Sequence, residues 1–280
     1  MELAAGHMSD DDCTRSMKAR LAHRHRTLGL DHPDTLAVAN NLAHVLRRRG
    51  RFDQARRLDE DTFRRRREVL GADHASTLSS ANNLVVDLAA VGAHDRARRL
   101  AEDTLARRRR VLGDSHPDTL SSANNLARLL RTLGEAAQAC CLAQDTLTRR
   151  RDVLGANDPS TLSSANNLVV DLAAVGAHGR ARRLAEDTLA RRRRVLGDSH
   201  PDTLSSANNL AHVLRLQGEY EEARRLDDDT LRRREDILGE NHPDTMASAN
   251  NLIIDLLELG DSERIRRLEE RMGRSEPGDQ

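Results

Sequence analysis

The chain has 280 residues, of which only three are aromatic, and its 45 basic residues balance 45 acidic ones to a formal net charge of zero. A large single core normally takes volume from aromatic side chains, so this composition favours long or repeated helices over an ordinary globular domain. No apolar run approaches the ~20 residues that cross a bilayer, and the zero net charge argues against a dedicated nucleic-acid-binding protein.

The N-terminus has no apolar stretch of the kind that a secretion signal requires, and we expect 1–10 to be a disordered N-terminus or a remnant of cloning. Three cysteines, Cys13, Cys140 and Cys141, are too few for a disulfide framework and indicate a reducing, cytoplasmic location. The adjacent pair could bind a soft metal or oxidise, but no other ligand lies nearby in the sequence. We therefore favour inert packing for both.

Three landmarks recur every 42 residues: a Leu-Gly pair, an Asn-Asn pair and a single Gly. The Asn-Asn pairs begin at Asn40, Asn82, Asn124, Asn166, Asn208 and Asn250. Six copies without an insertion identify a repeat protein. A short repeat cannot bury its apolar face alone, so the repeats are predicted to stack on one another.

Each repeat is predicted to fold as two helices, which we call helix A and helix B. In repeat 113–154, Pro117 suits the first position of helix A, and apolar residues follow at three- and four-residue spacing until Gly134. Helix B then runs to the residue before Gly155, since glycine commonly follows a helix end. We expect each helix to span roughly 15–18 residues.

In chain order, a lone helix B at 11–28 is predicted to cap the stack as a half-repeat. The repeats that follow are 29–70, 71–112, 113–154, 155–196, 197–238 and 239–272. All are expected to form one domain, 11–272, with thirteen helices. The last helix, Asp261 to Met272, is densely charged, as the exposed end of a stack must be, and the tail 273–280 is expected to be disordered.

Most repeats contain His-Pro-Asp-Thr-Leu, then Asn-Asn-Leu, the Gly turn, and Ala-x-x-Leu in helix B. In these motifs the chain resembles the 42-residue tetratricopeptide repeats of kinesin light chains, over about residues 11–272. The resemblance implies an all-α fold, a right-handed α-solenoid of antiparallel helix pairs, and a role in binding proteins or peptides. The aromatic positions of the general tetratricopeptide pattern are occupied here by Ala, Leu or Asp.

The resemblance also implies that helix A lines a concave face and that the first Asn of each pair faces a peptide groove. Side chains four and seven residues later share that face, and they are cationic in odd-numbered repeats but apolar in even-numbered ones. The predicted peptide-binding residues are Asn40, His44, Arg47, Asn82, Val86, Asn124, Arg128, Arg131, Asn166, Val170, Asn208, His212, Arg215, Asn250 and Ile254. The predicted guest is an extended segment, or a partner surface, with alternating acidic and apolar groups.

A second period of two repeats overlies the first. Residues Ser76 to Ala127 match Ser160 to Ala211 with one difference, Asp95 against Gly179. This near-identity favours recent duplication over selection for a periodic ligand.

Several polar residues have a structural interpretation that we prefer to a functional one. The second Asn of each pair is expected to hydrogen-bond within or between repeats. Asp87, Asp171 and Asp255 lie among apolar residues of helix A, and because a buried carboxylate needs a partner, we predict ion pairs with arginines of neighbouring helices. The histidines that precede helix A recur too far apart for a zinc site, so helix capping is favoured for His32, His74, His116, His200 and His242.

Runs of arginine close the B helices, as at 64–67 and 107–110, and acids such as Asp61 and Asp103 stand four residues upstream of an arginine. This spacing favours a solvated, self-neutralised outer face. The alternative is that the runs bind nucleic acid or an acidic partner on the convex side. Phosphate binding would show a steep salt dependence.

Catalytic motifs are missing: there is no glycine-rich phosphate loop, no Gly-x-Ser-x-Gly and no His-Glu-x-x-His. We therefore predict no enzyme activity, no cofactor and no metal site. The leading hypothesis is a scaffold or adaptor that binds a protein or peptide in the groove, with neither nucleic acid nor membrane as partner. The alternative is a structural solenoid that self-associates into a homo-oligomer through its concave face or its ends.

Overall fold

The computed structural model describes residues 10–273, and over that range the chain forms thirteen α-helices. The B helices are α1 (Asp10–Leu28), α3 (Phe52–Leu70), α5 (His94–Leu112), α7 (Ala136–Leu154), α9 (His178–Leu196), α11 (Tyr220–Leu238) and α13 (Ser262–Gly273). The A helices are α2 (Pro33–Arg48), α4 (Ala75–Ala90), α6 (Pro117–Thr132), α8 (Pro159–Ala174), α10 (Pro201–Leu216) and α12 (Pro243–Leu259). The expectations for 1–9 and 274–280 lie outside the described residues.

The A helices begin at a side-chain cap. The ring nitrogen Nδ1 of His116 accepts a hydrogen bond from the backbone N–H of Asp118 at 3.1 Å, and the other predicted capping histidines make the same contact. At α8, Asp158 takes this role and accepts from the N–H groups of Ser160 and Thr161. Each cap satisfies an amide that the helix leaves unpaired, so the prediction of helix capping is confirmed.

Glycine ends the B helices in a conformation that other residues avoid. Gly71 follows α3 with φ 87° and ψ 165°, and its N–H donates to the carbonyl of Arg67. This region of backbone space is essentially restricted to glycine. The helices α3, α5, α7, α9 and α11 each span 19 residues, slightly more than predicted, because they begin directly after the turn that closes helix A.

Contacts divide the chain into two compact units, described here as an N-terminal unit (10–135, α1 to α6) and a C-terminal unit (136–273, α7 to α13). Within each unit, consecutive helices pack against each other. Thin layers of aliphatic side chains fill the space between them, such as Leu21, Leu42 and Leu46 in the N-terminal unit and Leu252 and Leu256 in the C-terminal unit. A stack of this kind needs few bulky aromatic residues.

One arginine of each run is buried, which corrects the prediction that the runs lie wholly in solvent. Arg66 is 8% exposed, and its Nη1 donates to the carbonyl of Ser76 at 3.1 Å and to Oγ of Ser80 at 2.8 Å. The same contact from a B helix to the following A helix is made by Arg108, Arg150, Arg192 and Arg234. Burial lowers the pKa of each of these five guanidinium groups.

The neighbouring arginines do form the predicted surface pairs. Arg65 donates from Nε to Asp61 at 2.7 Å, and Arg107 donates from Nε to Asp103 at 2.8 Å. These pairs are partly exposed, so each is worth less than about 1 kcal/mol. Their effect is to neutralise much of the B-helix surface locally.

Candidate functional site

A buried ion cluster joins the first repeat to the second within the N-terminal unit. Arg47 on α2 donates from Nε to Asp87 of α4 at 2.5 Å and from Nη2 to Asp59 of α3 at 2.8 Å. Both carboxylates are 0% exposed, and the arginine is half-buried. The predicted ion pair of Asp87 is therefore confirmed. Arg47, a predicted peptide contact, is already engaged by two acids of its own chain.

The C-terminal unit contains a second copy of this cluster. Nη1 of Arg215 on α10 donates to Asp227 of α11 at 2.5 Å and to Asp255 of α12 at 3.1 Å. The two carboxylates are again 0% exposed. The predicted ion pair of Asp255 is confirmed, and in both units the contact runs from an odd-numbered repeat to the next even-numbered one.

Each cluster places two carboxyl groups against one bridging guanidinium. Burial raises the pKa of Asp59 to about 8; the hydrogen bond and charge of Asp87 add to this effect, and Arg47 and Arg66 oppose it. In the second cluster, burial raises the pKa of Asp227 to about 7 against the opposing effect of Arg215. A cluster of this kind titrates as a unit. It can hold one proton near neutral pH, which brings the summed charge of the three groups close to zero.

The predicted peptide-binding residues differ in exposure. Half-buried residues are Asn40, Arg47, Asn82, Val86, Asn124, Arg131, Asn166, Val170, Asn208 and Arg215. Exposed residues are His44, Arg128, His212, Asn250 and Ile254. Their role in binding stays a prediction.

The first Asn of a pair uses its amide within the stack. Oδ1 of Asn82 accepts from Oγ of Ser122 at 3.2 Å and from Nδ2 of Asn125 at 3.1 Å, so α4 is tied to α6. With its amide oriented to satisfy both of its ends, Asn40 donates to Asp59 at 3.2 Å and accepts from Arg66 at 3.0 Å. The oxygen of Asn82 is thus already engaged, which leaves its N–H groups to meet a guest.

A pocket of about 360 Å³ opens among the A helices of the N-terminal unit. Its apolar lining comes from α4 and α6 and includes Val85, Val86 and Leu129. Asn125 and Arg128 of α6 supply polar groups to the same pocket. One apolar and one cationic residue of the predicted site, Val86 and Arg128, are therefore brought together.

Arg128 is the cation of this pocket that can accept a new partner. No carboxylate of the described residues lies within ion-pair distance of its guanidinium. Although the residue as a whole is exposed, burial among its neighbours lowers the pKa of Arg128, and the positive charges of Arg131 and Arg47 lower it further. An anionic group bound here would relieve that repulsion and replace lost hydration.

The A helices of the C-terminal unit present a different surface. His212 of α10 is exposed, and its pKa is lowered by partial burial and by the charges of Arg215 and His178. On α12, Ile254 and Leu257 are 47% and 62% exposed, which is unusual for large apolar side chains on one helix face.

Two residues were missed from the sequence. Asn125, as the second of its pair, was assigned a structural role; it does bond between repeats, but it also lines the pocket. Asp59 lies in a helix B crowded with charge, and nothing in the local pattern marked it as buried. Its counterpart 168 residues later, Asp227, repeats the cluster, so the longer period carries the signal.

Other chemistries find no support within residues 10–273. This range contains no group of three or more His, Cys, Asp or Glu side chains placed to hold a metal ion. None of its helices combines the length and the apolar character that crossing a bilayer requires. Burial raises the pKa of the Cys140 thiol, and the nearby Asp171 adds to this effect, so the reactive thiolate is disfavoured.

Models of the tetratricopeptide repeat family match the chain at 17–68, 34–110 and 76–152, and again at 161–202 and 203–244. The chain belongs to the tetratricopeptide repeat family. The all-α tetratricopeptide solenoid class predicted from the sequence is confirmed with it. No curated protein sequence matches the chain significantly.

Solved structures agree with this assignment. A Podosopora anserina protein, described by its kinesin light chain nearly identical TPR-like repeats, is 26% identical, with a TM-score of 0.62 over 74% of this chain and 98% of that one. BtubC from P. vanneervenii is 21% identical, with a TM-score of 0.68 over 84% and 94% of the two chains. NprR, solved in complex with its cognate peptide NprX, is 13% identical, with a TM-score of 0.63 over 93% and 72%. The likeness to kinesin light chain repeats, predicted from the motifs, is confirmed.

Proposed function

We propose that this tetratricopeptide repeat protein is a non-catalytic scaffold that binds an extended peptide segment along its A helices. The observation that carries the proposal is the pocket that places the unpaired guanidinium of Arg128 beside the apolar side chains of Val85, Val86 and Leu129. An acidic group next to an apolar one would satisfy both. The predicted single domain, 11–272, remains part of this proposal.

Helix spacing sets the register of the guest. Stacked helices lie roughly 8–10 Å apart, and an extended peptide advances ~3.3 Å per residue. One A helix therefore meets about every third peptide residue. The arrangement fits a segment in which acidic and apolar residues recur at that spacing, with backbone groups free to bond to asparagine amides. NprR, a structure of the same fold class, was solved with a bound peptide, which supports a peptide as the kind of guest.

The test is charge reversal at the pocket. A peptide array of acidic and apolar extended segments, followed by fluorescence anisotropy on the best binder, measures affinity for the unaltered chain and for Arg128→Glu. We expect at least a tenfold loss, about 1.4 kcal/mol, because attraction becomes repulsion in a partly desolvated site. Arg48→Glu is the matched control, since Arg48 is an exposed arginine outside the pocket. Equal affinity for Arg128→Glu and Arg48→Glu would sink the proposal.

Self-association is the second candidate, and the exposed Ile254 and Leu257 of α12 favour it. Two chains that covered this apolar face against each other would form a homo-oligomer. Light scattering over a concentration series should then show assembly that is lost in Ile254→Ser/Leu257→Ser. A chain that stays monomeric at every concentration contradicts this candidate and leaves the peptide scaffold.

A further inference from the structure

The largest trough of the N-terminal unit lies on the B-helix side, away from the pocket described above. It has a volume of about 670 Å³, with α3 and α5 as walls. Leu84 and Leu88 of α4 form its floor and are 3% and 1% exposed, whereas Phe63 and Leu100 on the walls are half-buried. The accessible apolar surface is therefore small and suits one side chain.

Arginines line the rim of this trough, and some of them are already neutralised. Arg96 on α5 reaches across to Glu60 on α3 at 2.5 Å, and Arg64 donates to Asp61 at 2.6 Å. These pairs fit the self-neutralised outer face that the sequence predicts.

Three arginines of the same trough are exposed and lack an acidic partner among residues 10–273: Arg57, Arg67 and Arg99. The guanidinium of Arg67 lies over the ring of Phe63, 5.6 Å from its centroid, and this contact holds the cation beside the apolar wall. The excess of positive charge is therefore local to the trough, although the whole chain is neutral.

Comparison with the other repeats shows that this trough is distinct. Where α3 has the half-buried Phe63, the B helices α5, α9 and α11 have a fully packed leucine, as at Leu189. The counterparts of Arg67 are paired: Arg109 with Asp114 at 3.4 Å and Arg193 with Asp198 at 3.5 Å. Ala72 stands where those aspartates do, so Arg67 is left available.

The spacing of the three cations defines the ligand. Arg57 and Arg99 occupy the same position of successive repeats and therefore stand on opposite walls at one end. Arg67 follows Arg57 by ten residues on α3, about 15 Å along the helix axis. An extended chain covers that distance in four to five residues, at ~3.3 Å each.

We propose that this trough is a second binding site, for an extended acidic peptide segment with two carboxylates four or five residues apart and an apolar side chain between them. One carboxylate is held by Arg57 and Arg99, the other by Arg67, and the apolar side chain rests on Phe63 and Leu100. The site is independent of the A-helix pocket, so a partner could engage either face without the other.

The test compares two triple variants of the full chain. One carries Arg57→Gln, Arg67→Gln and Arg99→Gln. The control carries Arg183→Gln, Arg193→Gln and Arg225→Gln, the same positions three repeats later, which remove the same charge. Fluorescence anisotropy follows a labelled peptide with two aspartates at the stated spacing and a central leucine, and a second peptide in which asparagine replaces both aspartates.

We expect the first triple variant to bind the acidic peptide about tenfold more weakly, or about 1.4 kcal/mol, since exposed ion pairs are individually weak. The control variant and Arg128→Glu should bind within twofold of the unaltered chain, and the asparagine peptide should bind weakly to all. Phe63→Leu, which installs the residue of the other repeats, should weaken only peptides that carry the central leucine.

Three outcomes overturn the proposal. Both triple variants could weaken binding alike, which would indicate a general charge effect. Binding could depend on Arg128 alone, which would assign the peptide to the A-helix pocket. Finally, vesicles of phosphatidylcholine with phosphatidylserine could require Arg57, Arg67 and Arg99 while the peptide does not, which would make the trough a lipid-binding surface. All the substituted arginines are on the surface, and circular dichroism checks that the fold is retained.

Discussion

The buried carboxyl pair of the first cluster should make the protein less stable in mild base. Asp59 has a pKa of about 8 in the folded chain and ~3.9 when unfolded. The folded state therefore holds a proton that the unfolded chain releases. Stability from this group is complete below the unfolded pKa and falls as the pH rises through 8.

The magnitude follows from these two values. Between pH 6 and pH 9 the unfolded carboxyl is already ionised, and only the folded one still titrates. The unfolding free energy should fall by about 2.5 kcal/mol over that interval because of Asp59. Asp227, with a pKa of about 7, adds a smaller change of the same sign.

Asp59→Asn isolates the effect, because the amide keeps an oxygen for Arg47 and cannot ionise. Urea denaturation followed by circular dichroism at both pH values should show a loss of stability in the unaltered chain that is more than halved in Asp59→Asn. Asp61→Asn is the control: hydrogen bonds from Arg65 and Arg64 outweigh partial burial and lower the pKa of Asp61, so it stays ionised throughout. The reasoning is refuted if Asp59→Asn retains the full pH dependence of the unaltered chain.

Two further substitutions test the stacking contacts. Arg66→Met should lower the unfolding free energy by about 2–3 kcal/mol, because Ser80 and the Ser76 carbonyl lose a charged donor, whereas Arg64→Met should cost under about 0.5 kcal/mol; urea midpoints separate the two, and similar losses would argue against a special role for the buried arginine. Gly71→Ala should cost about 2 kcal/mol because of its φ of 87°, while Gly179→Ala, inside α9, should stabilise by about 0.5–1 kcal/mol; thermal melts of both variants check the opposite signs.

The helix pairs were predictable because their signals are local. Pro117 and His116 mark the start of α6, and Gly134 follows its end, all within one short stretch of sequence. The 42-residue period then placed the other helices by copying. Only the B-helix length was misjudged, and by little, because nothing local separates the Gly turn from the first helical residue.

The interior polar contacts were harder to predict because they depend on which face of a helix meets its neighbour. Arg66 looks like any member of a four-arginine run, yet the third arginine is the one that faces α4. Its partner Ser80 lies 14 residues further on, as does the serine of every later pair, and that fixed offset was the usable signal. Phe63 and Ala72 carried a different signal, since each departs from the residue that the other repeats share at its position.

The direction of the ion clusters has a consequence for how such an array changes length over generations. Arg47 meets Asp87, and Arg215 meets Asp255, so in both places the arginine belongs to one repeat and an acid to the next. Recombination that deleted a single 42-residue repeat between these partners would leave a buried charge without its counterpart, at a cost of about 3–5 kcal/mol. Recombination in steps of 84 residues keeps every partner in place. Lineages of this chain should therefore gain and lose repeats in pairs, and the two-repeat period is the unit that inheritance can copy without harm.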